Sequence, residues 1–152
     1  MTEEAPQNQP APESVAHPVL LYDGVCGLCN RMVQFVLRRD PAGVFRFASL
    51  QSELAASILR RHGLDARDLD TVYVVTNYER PDEHLLSRSD AVIFILQHMR
   101  ASLRWTGRFL LVVPKPLREW GYKVVARNRY RIFGRYDMCP MPSEETRSRF
   151  LA

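Results

Sequence analysis

Apolar and polar residues along the first hundred positions form a pattern that predicts short strands separated by helices. Residues 19–22 are an unbroken apolar run before Gly24, which predicts a buried strand. Apolar residues then recur at three, four and seven positions after Cys29, which predicts a helix that ends near residue 39. Residues 44–48 predict a second strand and residues 50–62 a second helix. This order implies a right-handed crossover between two parallel strands.

The next segment predicts a hairpin followed by a third helix. Residues 71–75 are all β-branched or aromatic, the strongest strand signal in the chain, and residues 84–87 are placed to return antiparallel beside them. Ser87 and Asp90 have the spacing of a capping box ahead of a helix over residues 91–99. The resulting β-α-β-α-β-β-α order is the thioredoxin-like arrangement, so the predicted fold class is α/β.

Two additional helices are predicted beyond this core, in a C-terminal extension over about residues 101–152. The first covers residues 103–113, and the second begins at Pro116 and continues to about residue 128. Leu117, Trp120, Val124 and Val125 share one face of the second helix. We expect the pair to pack over the sheet or beside the start of the first helix. The expected organisation is a single domain over 19–152 behind a disordered tail, residues 1–18, which is rich in Pro and polar side chains.

Composition and charge narrow the classes of protein. Apolar residues make up 46% and charged residues 25%, as in ordinary globular proteins. No apolar run approaches the roughly 20 residues of a membrane helix, and the first residues lack a signal-peptide pattern. Three cysteines are too few for a disulfide scaffold. We therefore expect a cytoplasmic protein. Charge is uneven along the chain, with a net of −4 over residues 1–98 and +8 over residues 99–152. The positive C-terminal part indicates acidic binding partners.

The candidate chemistry lies where the first strand gives way to the first helix. Cys26 and Cys29 have the Cys-x-x-Cys spacing of a thioredoxin-like redox site. Unpaired N–H groups at a helix start stabilise a thiolate, and thiol pKa values there fall to roughly 3.5–7.5. Cys29 shares the apolar face of the helix and points inward, so we predict Cys26, at the accessible mouth, as the attacking thiol and Cys29 as the resolving thiol. Asp23 is predicted either to accept a proton during resolution or to form an Asx-type turn.

Other interpretations of the cysteines remain open. A structural zinc site would need two further ligands, and the chain offers only Cys139 and four histidines for them. Haem attachment is excluded because Asn30, and not His, follows the pair. Cys139 is either a third thiol in relay or a small buried apolar residue. We predict no metal and no cofactor.

The sequence from Asp23 to Cys29 also carries a family resemblance. Asp23-x-x-Cys26-x-x-Cys29 after a short strand resembles the signature of the DCC family of thiol-disulfide oxidoreductases, which is called after those three residues. The resemblance covers nearly all of residues 19–151, including LSRSDAV at 86–92, PKPL at 114–117, ARNRY at 126–130 and FGRYDMC at 133–139. It implies thiol-disulfide exchange as the activity.

The absence of one proline bears on the choice of substrate. Thioredoxin-like redox proteins usually carry a cis-proline near the position of residues 69–71, and none is present here. A small thiol, such as glutathione, or a dedicated protein partner is therefore expected in place of general protein substrates. The alternative is a non-catalytic redox-sensing or partner-binding module with a basic C-terminal surface.

Arginines near the end of the second C-terminal helix are interleaved with aromatic residues. This composition is typical of nucleic-acid contact surfaces. It is equally typical of a solvated face, or of internal ion pairs with the acidic first part of the chain, and we favour these two interpretations. The arginines concerned are Arg127, Arg129, Arg131 and Arg135. Nucleic acid is thus an unlikely partner, and oligomeric state is open.

Overall fold

The computed structural model of the chain describes residues 17–65, 71–99, 101–135 and 142–151. It has four strands and five α-helices in these ranges, followed by one short 3-10 helix. The strands are β1 (Val19–Tyr22), β2 (Arg46–Ser49), β3 (Tyr73–Thr76) and β4 (His84–Ser87). The helices are α1 (Gly27–Arg39), α2 (Glu53–Arg61), α3 (Arg88–Gln97), α4 (Ala101–Val112) and α5 (Lys115–Phe133), and the 3-10 helix is Arg147–Arg149.

The strands form one mixed sheet in the order β2-β1-β3-β4. β1 pairs parallel with β2 and antiparallel with β3, and β3 pairs antiparallel with β4. The parallel pair is joined through α1, as a β-α-β crossover requires. This topology confirms the predicted thioredoxin-like α/β fold and places the end of the inner strand β1 directly before α1.

The residues of β1 supply both sides of the core. Leu20 and Tyr22 join a cluster with Val33 and Val36 of α1, whereas Val19 and Leu21 face the opposite cluster, which α2 covers. Side chains on a strand alternate between the two faces of a sheet, so an unbroken apolar run is the pattern of a strand buried on both. All four residues of β1 are buried.

Element boundaries differ from the sequence prediction by a few residues. α1 begins at Gly27, two positions before the predicted start, and α2 begins at Glu53 because Ser52 caps it by accepting a hydrogen bond from the Ala55 N–H. Gly63 follows α2 with φ +71°, as expected for a helix C-terminal glycine. The predicted capping box at α3 is wrong, since Ser87 is the N-cap residue but its hydroxyl makes no capping hydrogen bond.

The C-terminal helices wrap one side of the core. α4 packs against α3, and α5 contacts both α1 and α3. The predicted packing face of α5 is wrong: Leu117, Trp120, Val124 and Val125 are 42–64% exposed. The helix instead buries Arg129 and partly buries Tyr122, because their polar ends find partners inside the protein. No helix in the described ranges is long and apolar enough to cross a bilayer.

The described chain also includes two residues of the predicted tail. His17 lies within hydrogen-bonding distance of the Val44 carbonyl, 2.9 Å away, and the Pro18 carbonyl accepts from the Arg46 N–H. Residues 1–16 lie outside the described ranges.

Candidate functional site

Cys26 and Cys29 lie together at the start of α1. Cys26 is the N-cap residue, and its sulfur accepts a hydrogen bond from the Cys29 backbone N–H over 3.4 Å. A sulfur here takes the place usually held by a serine or aspartate oxygen, so it lies at the positive end of the helix. Both cysteines are free thiols.

The predicted solvent access of Cys26 is wrong in this structure. Its relative exposure is 0%, against 8% for Cys29. The backbone beyond α5 covers it: Arg135 forms an isolated antiparallel bridge with Cys26, and the Gly27 N–H donates to the Gly134 carbonyl over 3.1 Å. The sequence could not place this segment, which is more than a hundred residues away along the chain.

The two thiols differ in acidity in the direction the predicted roles require. A hydrogen bond from the Cys29 thiol is the largest cause that lowers the pKa of Cys26, which falls to about 6 despite burial. The same hydrogen bond, together with burial, raises the pKa of Cys29 well above its ordinary value. Near neutral pH the pair therefore holds a thiolate on Cys26 and a proton on Cys29.

A buried ion pair lies next to the thiols. Nη2 of Arg129 is 3.2 Å from Oδ2 of Asp23, and the two side chains are 4% and 0% exposed. Nη1 of the same guanidinium lies 3.9 Å from Sγ of Cys29. Tyr130 donates from its hydroxyl to Oδ2 of Asp23 and accepts from Arg129 over 3.0 Å. α5 thus supplies one buried positive charge that pairs with the Asp23 carboxylate and lies beside the thiol pair.

Asp23 forms the Asx-type turn that was one of its two predicted roles. Oδ1 accepts from the Val25 N–H over 3.1 Å and from the Gln51 side-chain amide over 2.7 Å. In the described part of the chain no hydrogen bond joins its carboxylate to Cys29. The carboxylate instead reaches the thiols through Arg129.

The sequence analysis did not predict four residues as members of this site. They are Gln51, Tyr122, Arg129 and Tyr130. Arg129 had been grouped with three other arginines, and only the fold separates it from them: it is buried, whereas the others are exposed. The resemblance through residues 126–130 was the one signal that pointed at this part of α5.

A cavity of about 560 Å³ opens beside Cys29. Its walls come from α1, α3, α4 and α5 and are mainly apolar, including Leu28, Met32, Val92, Leu110, Val113 and Val125. Cys29 and Arg129 lie in the wall as well. Cys29, the predicted resolving thiol, therefore lines this cavity, and Cys26 does not.

The remaining candidate residues lie apart from this pair. Cys139 is outside the described ranges, so the structure does not test its role. His62 binds Glu83 at the surface, and His98 stacks on Phe94. Among the described residues there is no group of three or more His, Cys, Asp or Glu side chains arranged to hold a metal ion.

The sheet, the helix-start cysteine pair and the buried countercharge define a thioredoxin-like protein with a dithiol site. A family model described as DCC1-like thiol-disulfide oxidoreductase matches residues 20–135, so the chain belongs to that family. The match confirms the resemblance seen in the sequence and supports a redox function.

Two relatives match most of the chain. The chain is 40% identical over 139 residues to the uncharacterized protein YuxK of Bacillus subtilis, and the match covers 91% of this chain and 97% of that one. It is 36% identical over 129 residues to the DCC family protein At1g52590, chloroplastic, of Arabidopsis thaliana, with 85% and 72% covered. No solved structure gives a significant match.

Proposed function

We propose that the protein is a thiol-disulfide oxidoreductase in which Cys26 is the nucleophile and Cys29 the resolving thiol. The observation that carries this proposal is the position of Cys26 as the N-cap residue of α1, where its sulfur accepts the Cys29 backbone N–H over 3.4 Å. The lowered pKa of Cys26 and the raised pKa of Cys29 agree with that position. The Cys26 thiolate attacks a substrate disulfide, forms a mixed disulfide and expels one substrate thiolate. Cys29 then gives its proton to the expelled substrate thiolate and attacks Sγ of Cys26. The Cys26–Cys29 disulfide forms, the second substrate sulfur leaves as a thiolate, and two electrons have passed to the substrate.

In this proposal Asp23 assists by holding Arg129. Deprotonating Cys29 leaves a negative charge in a buried site, and the Arg129 guanidinium is the cation placed to balance it, 3.9 Å from the sulfur. Asp23 fixes that guanidinium from the other side, at 3.2 Å. Asp23 is therefore a positioning residue, and its predicted role as direct proton acceptor has no contact to support it.

The substrate proposed is a small disulfide or one dedicated partner, and not extended polypeptides in general. The backbone N–H of Val72, just before β3, donates to the Tyr122 hydroxyl over 2.9 Å. α5 thus occupies the region where an unfolded substrate chain would be expected to pair. The apolar cavity beside Cys29 favours a substrate with an apolar portion. We propose the cytoplasm as the compartment, since a lone redox-spaced pair among three cysteines is typical of a reducing environment.

The enclosure of Cys26 favours a second candidate, a redox-sensing module without turnover. The sulfur is 0% exposed, so a substrate disulfide reaches it only after the segment at Gly134 and Arg135 moves. In a sensor the same movement, driven by oxidation of the pair, would be the output.

Trapping separates the two candidates. In a Cys139→Ser background, which leaves only the pair, a Cys29→Ser variant should accumulate a mixed disulfide with oxidised glutathione or a small aromatic disulfide, detected by mass. The intact pair should turn over the same disulfide repeatedly with a monothiol donor. A pair that oxidises once but shows no turnover, and a Cys29→Ser variant that traps nothing, would contradict catalysis and favour the sensor.

A further inference from the structure

Helices α4 and α5 carry most of the exposed apolar side chains of the protein. Eleven large apolar residues are well exposed in the described ranges, and nine of them belong to these two helices. The nine are Trp105, Phe109, Leu111, Val112, Leu117, Trp120, Val124, Val125 and Ile132, exposed by 42–81%. We call them, with the basic residues between them, the α4–α5 surface. Exposed apolar side chains concentrated on two neighbouring elements indicate a protein or membrane interaction site.

On each helix the exposed apolar residues form a stripe. Trp105, Phe109 and Val112 are spaced four and three apart on α4, which places them on one face, opposite the inward-facing Gly107. Trp120 and Val124 are spaced in the same way on α5. α4 is thus apolar on two sides, and only one of them is used by the fold.

The charge of the same two helices is strongly positive. Residues 101–135 contain nine basic side chains and one acidic one, a net of +8. Lys115 and Arg118 pair with Asp90, and Arg129 pairs with Asp23. The other six are exposed and form no ion pair with a carboxylate of the described chain: Arg104, Arg108, Lys123, Arg127, Arg131 and Arg135.

We propose that the α4–α5 surface docks on an anionic lipid membrane, lying in the interface without spanning it. Helices that bind there combine apolar and tryptophan side chains with Lys and Arg, and tryptophan is enriched at the headgroup level. Each exposed basic residue near an anionic bilayer strengthens binding. The acidic partner is thus a lipid surface.

Other occupants fit the observations less well. A second copy of this chain would bring together two surfaces that each carry six exposed basic residues without an ion-pair partner among the described carboxylates, which is repulsive. Protein interfaces are depleted of lysine relative to the rest of the surface. Here Lys123 is exposed within the α5 stripe, one helical turn after Trp120 and next to Val124. A headgroup layer accepts cations and indole rings at the same depth.

The apolar cavity beside Cys29 is continuous with this surface. Leu117 and Val125 belong to the α4–α5 surface and also line the cavity. A docked protein would therefore present the cavity entrance to the lipid side.

The two tryptophans of the chain, Trp105 and Trp120, both belong to the surface, so intrinsic fluorescence reports on it directly. The full chain is mixed with vesicles of phosphatidylcholine alone or with 30% phosphatidylglycerol. Co-sedimentation and a blue-shifted emission, protected from acrylamide, are expected only with the anionic vesicles, and both should weaken in high salt. Failure to bind the anionic vesicles would overturn the proposal, whatever the redox activity.

Matched variants test the residues. Arg108→Glu with Arg131→Glu should lower the vesicle affinity by about tenfold or more, while Arg38→Glu with Arg60→Glu, the same charge change on α1 and α2, should lower it only slightly. Phe109→Ser should weaken binding and Leu64→Ser, another exposed apolar position, should not. Thermal melting confirms that each variant folds. Equal losses in both pairs, or a dimer whose formation shifts the fluorescence without vesicles, would contradict membrane docking.

Discussion

At the residue scale, the hydrogen bonds that Cys29 donates to Cys26 set the chemistry of the site. Cys29 donates to Cys26 through its thiol and its backbone N–H, so one sulfur becomes acidic at the expense of the other. The roles proposed for the two cysteines use this difference in acidity. The sequence analysis assigned the roles by exposure and expected Cys26 to be the more exposed thiol. In the structure Cys26 is the less exposed of the two.

The first prediction concerns the acidity of Cys26. Its rate of alkylation by iodoacetamide, read by mass, should rise with pH around a midpoint near 6. Cys29→Ala removes the donor and should move the midpoint towards the ordinary thiol value. Cys29→Ser should move it less, because a hydroxyl still donates. Equal midpoints in the two variants would show that the side-chain hydrogen bond is not the cause.

The second prediction concerns the buried cation. Arg129→Met leaves the Asp23 carboxylate buried without its partner, and the free energy of unfolding should fall by about 3–5 kcal/mol. The hydrogen bonds from Cys29 lower the pKa of Cys26 most, and the charge of Arg129 lowers it further. The midpoint of Cys26 alkylation should therefore rise in Arg129→Met.

The control for that variant is Arg127→Met, two residues away on the exposed side of α5. It should change the free energy of unfolding by no more than about 0.5 kcal/mol and leave the alkylation midpoint unaltered. If both variants change the free energy of unfolding and the alkylation midpoint equally, the ion pair with Asp23 contributes to neither.

At the scale of elements, the contact between the start of α1 and the end of α5 decides access to the site. Gly27 is the residue that allows it. A Cβ built on Gly27 would lie 2.1 Å from the Phe133 carbonyl oxygen, closer than any real contact. The segment after α5 can cover Cys26 only because position 27 has no side chain.

The third prediction follows from that contact. Gly27→Ala should push residues 133–135 away from α1, so Cys26 should be alkylated faster at a given pH and the protein should be less stable. Gly121→Ala is the matched control, since a Cβ there meets nothing within 4 Å and alanine favours a helix by up to about 1 kcal/mol. Slower or unchanged alkylation in Gly27→Ala would mean that this segment does not limit access.

Helix positions were predictable at this scale, and helix faces were not. The three- and four-residue spacing along α1 placed Cys29, Val33 and Val36 inward, and the structure buries all three. The same reasoning placed Leu117, Trp120 and Val124 against the protein and was wrong. Periodicity shows that a face is apolar but not what covers it.

Across the whole molecule, the acidity of the pair links folding to pH. The folded pKa of Cys26 is about 6, below its value of 9.0 in an unperturbed thiol, so between these pH values the unfolded chain binds one proton more. Stability from this group is therefore present above pH 9 and is lost as the pH falls towards 6. Cys29 acts in the opposite sense, because its raised pKa makes the folded state hold a proton that the unfolded chain releases above pH 9.

The fourth prediction uses this linkage. The difference in free energy of unfolding between the reduced wild type and Cys26→Ser should grow from about pH 6 towards pH 9 and not increase beyond it. Urea denaturation in a phosphine reductant at a series of pH values measures it. A difference that is flat over this range would show that the thiolate is not stabilised by the fold.

The sequence by itself determined the order of strands and helices, the double burial of β1 and the position of Cys26 and Cys29 at the start of α1. These properties depend on local periodicity and on residues that are close along the chain. The family followed from the motif residues in the same way.

Only the tertiary structure decided which arginine is the countercharge, what covers Cys26 and which apolar faces stay exposed. Arg129 and Asp23 are 106 residues apart, and Cys26 and Arg135 are 109 apart. Contacts over such separations depend on how α5 is oriented against α1, for which no local pattern carries information. The physical reason is that burial of a charge, or exposure of an indole, is a property of the packed neighbours and not of the residue itself.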